Sequence, residues 1–258
     1  MDSVNSTMDL DFYPFVHSDT SPMNNYTDPQ RVRLRHLGYL RLLIVEIFLI
    51  ASLPLCIVQP WLLSFWLVLL CLVLMIFVSR FSLLRVSETR AFLWLGLAVI
   101  ILEMVWRISF LIGDQLGLLL STIHLAVWML FIGLTIHRLI RGLNKEPSVS
   151  IRVVMGAVAG YLLIGIAGGI LLNTVWVLHP LAFDTTAMQP AINKSILSNQ
   201  YAPALMASSF AMLSTLGSDI FTADLAERVS AATISLIGQL YIALLIGIIL
   251  GRYHKRSF

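Results

Sequence analysis

The sequence predicts an all-α integral membrane protein, and three observations support this fold class. Of the 258 residues, 58% are hydrophobic and only 12% are charged, whereas soluble domains carry about 25% charged residues. Six apolar runs each approach the roughly 20 residues that an α-helix needs to cross a bilayer. Basic residues cluster in alternate connections between these runs, as expected for a chain that crosses a membrane repeatedly.

The chain begins with a polar segment that is followed by four of the apolar runs. Residues 1–36 are rich in Asp, Ser, Thr, Asn and Pro before the first basic cluster, and we expect them to form a disordered cytoplasmic N-terminus. Residues 37–145 are predicted to form a peripheral domain of four transmembrane helices. The first two helices are joined by the tight turn 58–60, which predicts a helical hairpin. The four predicted spans are Leu37–Ile57, Trp61–Val78, Ala91–Ile112 and Leu116–Ile136.

The distribution of Lys and Arg predicts the orientation in the membrane. Basic residues precede the first run and lie between the second and third, between the fourth and fifth, and after the sixth. By the positive-inside rule these clusters are cytoplasmic, so both termini are expected in the cytoplasm. Residues 252–258 then form a short basic cytoplasmic tail.

Four ionisable residues lie inside the first four runs, where charges are costly and are usually paired. They are Glu46, Glu103, Arg107 and His124. Glu103 and Arg107 are four residues apart on the third run, so they share a helical face and are predicted to form an ion pair. We favour a structural network that holds the bundle together, and the alternative is a sensor linked to protons or voltage.

Residues 150–251 have a different pattern, with two long runs separated by about 50 residues. The long runs are Val153–Val177 and Val229–Leu250. Between them, Pro203–Leu213 is apolar, but its roughly eleven residues reach only about 16 Å as a helix. We expect this helix to enter the membrane from outside, stop partway and be followed by a polar loop that returns outward. Such a re-entrant loop is tolerated only where protein buries it or where it lines a water-filled path.

The residues of this region resemble the pore module of the potassium-channel superfamily. The stretch 209–217, SFAMLSTLG, resembles a pore helix followed by the Thr-x-Gly start of a selectivity filter. Residues 155–172 are similar to the outer helix of small prokaryotic members, and residues 225–228 and 237–241 to the inner helix. The resemblance covers 150–251 and implies a pore domain of outer helix, pore helix, filter and inner helix. It further implies a homotetramer in a prokaryotic plasma membrane, with K+ or Na+ as permeating ions and no cofactor.

The filter itself departs from the usual Thr-Val-Gly-Tyr-Gly-Asp of the family. Here the sequence is one residue shorter and lacks Gly-Tyr-Gly. In the family, rings of backbone carbonyls and a Thr hydroxyl replace the hydration shell of the ion. Loss of the bracing Tyr predicts a cation pore with a wider upper filter and leaves open its selectivity for potassium over sodium. The residues assigned to the ion path are Ser214, Thr215, Leu216, Gly217, Ser218 and Asp219.

Further residues are assigned by the same resemblance. In a tetramer, Asp219 would form a ring of four carboxylates that concentrates cations at the pore mouth, where Asp224 is also placed. The alternative roles are a turn cap for Asp219 and a helix start for Asp224. Gly238 is either a gating hinge or a small residue that permits close helix packing. Possible cavity-lining groups on the inner helix are Thr233, Ser235 and Gln239.

Other functional classes are weighed against the channel. The main alternative is a non-conducting channel-like subunit that regulates another protein, since the shortened filter also suits a closed pore. An intramembrane enzyme would need a Ser within 214–218 to meet His124 or His179, and nothing in the spacing argues for this. A transporter would show a second broken-helix repeat. The expected partners are the lipid bilayer, further copies of the chain and an unidentified regulatory subunit, with no nucleic acid; no metal site is indicated.

Overall fold

The protein is all-helical in the part of the chain that the structure describes. The computed structural model describes residues 29–59, 61–81, 86–112, 114–144, 151–179, 201–214 and 225–254. These ranges form seven α-helices and contain no strand, which confirms the predicted fold class at this level. The helices are α1 Pro29–Val58, α2 Trp61–Phe81, α3 Val86–Ile112, α4 Asp114–Asn144, α5 Ile151–Leu178, α6 Ala202–Leu213 and α7 Leu225–His254.

Six of these helices are long and apolar enough to cross a membrane. Their apolar stretches contain 19 to 29 residues with mean hydropathy between 2.0 and 2.8, which matches the length needed to span the hydrocarbon core. The six predicted spans are therefore helical, and their length and composition agree with the predicted integral membrane class. The remaining helix, α6, has only 12 residues and coincides with the predicted short helix between the last two spans.

Several helices extend beyond the predicted spans, and α1, α4 and α7 are three examples. Helix α1 begins at Pro29, inside the segment predicted to be disordered, and proline suits the first turn of a helix. Helix α4 continues to Asn144, beyond the predicted end at Ile136, because its basic residues lie at the last turns, where they complement the helix dipole. Helix α7 begins at Leu225 and places Glu227 in its first turn, where a negative charge is favourable.

The predicted hairpin between α1 and α2 is present. The backbone N–H of Gln59 donates to Leu55 O at 3.0 Å, and the N–H of Leu62 donates to Gln59 O at 3.0 Å. These two bonds satisfy backbone groups at the end of α1 and the start of α2, which otherwise lack partners. The connection therefore holds the two helices side by side.

Helix α5 lies at the centre of the described bundle. It packs against α1, α4, α6 and α7, and 67% of its most apolar stretch is buried, compared with 17% for α7. Small residues let neighbouring helices approach its backbone closely. At Gly169, for example, an added Cβ would lie 2.8 Å from the Cα of Met206 on α6. The position of α6 therefore depends on glycine at this point of α5.

We expect Gly169→Val to lower the midpoint of thermal unfolding of the purified protein in detergent. Overpacking of this kind costs about 1–3 kcal/mol, because the α6 backbone must move away from α5. The matched control is Gly133→Val on α4, where an added Cβ would meet no atom within 4 Å. Equal shifts for the two variants would contradict the close contact between α5 and α6.

Candidate functional site

Helix α6 runs antiparallel to α5 and ends partway along it. At the start of α6, the ring of Tyr201 packs on Trp176, near the end of α5, with 4.9 Å between the ring centroids. At the other end of α6, the hydroxyl of Tyr161 donates to Leu213 O at 2.8 Å. Positions 176 and 161 are about 22 Å apart along a helix. The C-terminal end of α6 therefore lies well inside the length of α5.

Two neighbouring helices hold the C-terminal end of α6. The last carbonyls of any α-helix lack partners within the helix. Here the Tyr161 hydroxyl of α5 serves the carbonyl of Leu213, and the Ser235 hydroxyl of α7 donates to Met212 O at 2.9 Å. Ser235, predicted to line a cavity, is thus used to anchor α6.

The middle of α6 is fixed to α5 by a polar side chain and an aromatic ring. The hydroxyl of Ser209, which is completely buried, donates to Gly165 O at 2.6 Å. The ring of Phe210 occupies the space beside Gly165 where a side chain would otherwise stand. A hydroxyl group bonded to a carbonyl of the adjacent helix is stabilising in an apolar environment.

The residues predicted to form the ion path lie mostly outside the described ranges. Ser214 follows α6 directly, with its N–H donating to Phe210 O at 3.0 Å and its hydroxyl to Ala211 O at 3.0 Å. Thr215, Leu216, Gly217, Ser218, Asp219 and Asp224 are not among the described residues, so their roles stay predictions.

The remaining predicted residues of the last helix lie on two faces of α7. Gly238 is on the buried face, against the side chain of Leu213. This environment agrees with the packing interpretation of Gly238, and the hinge interpretation stays a prediction. Thr233 and Gln239 lie on the exposed face, and the Thr233 hydroxyl donates to Val229 O of its own helix at 2.7 Å.

A second polar group lies between α2, α3 and α4, around the carboxylate of Glu103. This residue is 1% exposed. Its Oε1 accepts a hydrogen bond from the Ser64 hydroxyl of α2 at 2.7 Å, and its Oε2 lies 2.7 Å from His124 Nε2 of α4. The indole N–H of Trp128 donates to Oε2 at 3.3 Å. We call Ser64, Glu103, His124 and Trp128 the Glu103 cluster.

Aromatic rings enclose the Glu103 cluster. The Trp106 ring stacks on the imidazole of His124, with 4.6 Å between centroids and 9° between planes. The Arg107 guanidinium carbon lies 5.0 Å from the centroid of the Trp61 ring, a cation–π geometry. The Trp106 ring therefore covers the His124 side of the cluster, and the Arg107 cation lies over the face of the Trp61 ring.

Three of the four predicted intramembrane charges come together in this region. Glu103, Arg107 and His124 line one cavity, as the structural-network interpretation requires. The sequence analysis did not single out Ser64, Trp128 or Asn173, which also line the cavity or bond to Glu103. Their only signal in the sequence was a polar group inside an apolar run, and that signal does not say which helices face one another.

Glu46 lies apart from this cavity. Its side chain is 0% exposed, and within the described part of the chain neither carboxyl oxygen has a hydrogen-bond partner. Burying a polar group without a partner costs about 1–3 kcal/mol. The predicted network therefore includes three of the four ionisable residues, and Glu46 is a separate feature of α1.

Comparison of the chain with protein-family models, with curated proteins and with solved structures finds no match.

We expect His124→Leu to destabilise the protein by about 3–5 kcal/mol, because the Glu103 carboxylate would stay buried after losing its His124 partner. The double variant Glu103→Leu/His124→Leu should be less destabilised than the sum of the two single variants. Thermal unfolding in detergent measures all three. Additive effects would show that the two side chains do not interact.

Replacing Glu46 with Leu should have the opposite effect. The substitution removes two buried oxygens without hydrogen-bond partners, so we expect a higher unfolding midpoint by an amount that corresponds to about 1–3 kcal/mol. Leu49→Ala on the same helix is the control, since it removes a fully buried apolar side chain and must destabilise. A Glu46→Leu variant that loses stability would indicate that Glu46 has a partner in the native protein.

Proposed function

We propose that this chain is the pore-forming subunit of a homotetrameric, potassium-channel-like cation channel. The observation that carries the proposal is the placement of α6, a short apolar helix packed against α5 and α7 and followed directly by the polar residues 214–219. In this proposal α5 is the outer helix, α6 the pore helix and α7 the inner helix. Helices α1–α4 form the peripheral domain.

The depth of the α6 end supports a re-entrant path. Ser235, which bonds to the end of α6, lies ten residues after Leu225, or about 15 Å along α7. The chain leaves α6 at the level of Ser235 and enters α7 at Leu225. Residues 215–224 therefore have to cover that height, and an extended chain of ten residues reaches about 33 Å. The segment is long enough to form a narrow loop on the way.

The exposed face of α7 supports a shared axis. Only 17% of its apolar stretch is buried by the rest of the subunit, the lowest share among the six candidate spans. Its exposed residues include Thr233 and Gln239, and polar side chains inside a membrane normally face protein or a water-filled cavity. Four copies of α7 around a central path would give these groups such an environment.

The ion path in this proposal is the segment 214–219. Carbonyl oxygens and the Thr215 hydroxyl replace water around a dehydrated K+ or Na+ ion, and the carboxylates of Asp219 and Asp224 attract cations to the mouth. The conduction is passive. The absence of Gly-Tyr-Gly is the specific feature that favours the second candidate, a non-conducting channel-like subunit.

We expect the protein purified in mild detergent to be a tetramer by native mass spectrometry. The exposed face of α7 supports assembly around a shared axis, and the number of four copies comes from the resemblance to the potassium-channel superfamily. Replacing the exposed Gln239 with Leu should leave the subunit folded and change the distribution of oligomers. A monomeric wild-type protein would end the proposal of a shared pore.

Bilayer recording under bi-ionic potassium and sodium conditions tests conduction directly. We expect cation current that depends on Thr215, so that Thr215→Ala shifts the reversal potential or abolishes the current. The matched control is Thr135→Ala on α4, whose hydroxyl bonds within its own helix to Phe131 O. Asp219→Asn should lower the conductance and weaken block by divalent cations, because it removes a ring of negative charge.

The outcomes of the recording separate the two candidates. A reversal potential that favours potassium indicates selective carbonyl sites, and one near zero with measurable current indicates a wider cation pore. A silent tetramer under several gating stimuli favours the non-conducting subunit and contradicts the channel.

A further inference from the structure

The cavity beside the Glu103 cluster lies where the first helices of the chain meet α5 and α6. It is lined by residues of α2, α3 and α4 on one side, and by Gly169, Asn173 and Met206 of α5 and α6 on the other. Its volume is about 20 Å³, counted as the space open to the centre of a water molecule. The polar side chains that line it are Ser64, Glu103, Arg107, His124 and Asn173.

Asn173 is the side chain of this cavity that requires a ligand. It is 8% exposed, and its Oδ1 has no hydrogen-bond partner among the described residues. An amide oxygen accepts up to two hydrogen bonds, and a buried one without a partner costs free energy. A donor placed in the cavity would satisfy it.

We infer that the cavity binds one ordered water molecule, which bridges Asn173 of α5 to the Glu103 cluster. A water site needs about 10–15 Å³ of such space and two to four polar partners, and both conditions are met here. Water donates to Asn173 Oδ1 and to the Glu103 carboxylate, and its oxygen accepts from the guanidinium of Arg107. The Arg107 cation disfavours a metal ion.

This water connects two parts of the bundle by hydrogen bonds. On one side is the cluster that holds α2, α3 and α4 together. On the other is α5, where Asn173 lies one helical turn from Gly169. At Gly169 an added Cβ would lie 2.8 Å from the Cα of Met206 on α6. The start of α6, at Ala202, also lines the cavity. The inference concerns the subunit alone and does not depend on ion conduction.

A cryo-electron microscopy map of the full chain, at a resolution that shows ordered waters, tests the inference without any substitution. We expect density in the cavity at hydrogen-bond distance from Asn173 Oδ1, about 2.7–3.2 Å. In Asn173→Leu this density should be lost. An empty cavity in the wild-type protein, with other buried waters visible, would overturn the inference, and so would density that persists unchanged in Asn173→Leu.

A double-mutant cycle between Asn173→Leu and Glu103→Gln measures whether the water bridges the two sides. We expect the midpoint shift of the double variant to differ by about 2 °C or more from the sum of the single shifts. Thr174→Val is the matched control, since its hydroxyl bonds to Ile170 O of its own helix at 3.0 Å, and it should add to Glu103→Gln. Additivity for both pairs would overturn the bridge.

Discussion

The close approach of several helices to α5 is the constraint on which the rest of the structure depends. A membrane offers no hydrophobic gain for bringing apolar helices together, so association relies on tight packing and on interhelical hydrogen bonds. On α5, glycines leave room for the ring of Tyr39 at Gly156 and for the ring of Phe210 at Gly165. The same close distance brings the hydroxyls of Ser209 and Tyr161 within reach of partners across the α5–α6 contact. Packing and hydrogen bonding therefore support each other at this helix.

The two buried glutamates, Glu103 and Glu46, differ in the hydrogen-bond donors that surround their carboxyl groups. Glu103 lies where two helices, α2 and α4, supply donors, so its burial is compensated and it joins those helices to α3. Glu46 is buried equally well but receives no such donors among the described residues. Glu103 therefore helps to hold the helices of the bundle together. Glu46 is expected to cost stability, because its buried oxygens lose their hydrogen bonds to water without gaining others.

Much of the architecture follows from the sequence because length and hydropathy leave few choices. A long apolar run forms a helix in a bilayer, because the backbone must satisfy its own polar groups. This rule predicted the six spans, and the shorter apolar run 203–213 predicted α6. The predicted helix ends were less accurate, as α4 shows, because a helix can continue beyond the apolar run with the same backbone hydrogen bonds. The roles of Ser64 and Asn173 were not predicted, because the helical period shows which residues share a face of one helix. It does not show which faces of different helices pack together.

The end of α6 has an electrostatic consequence. The peptide dipoles of a helix add up to roughly half a negative elementary charge at its C-terminus. In α6 that end lies partway along α5 and α7, beside Tyr161 and Ser235. The hydroxyls of Tyr161 and Ser235 offset part of this potential at Leu213 and Met212. The remaining partial negative charge would favour a cation over an anion near this end of α6.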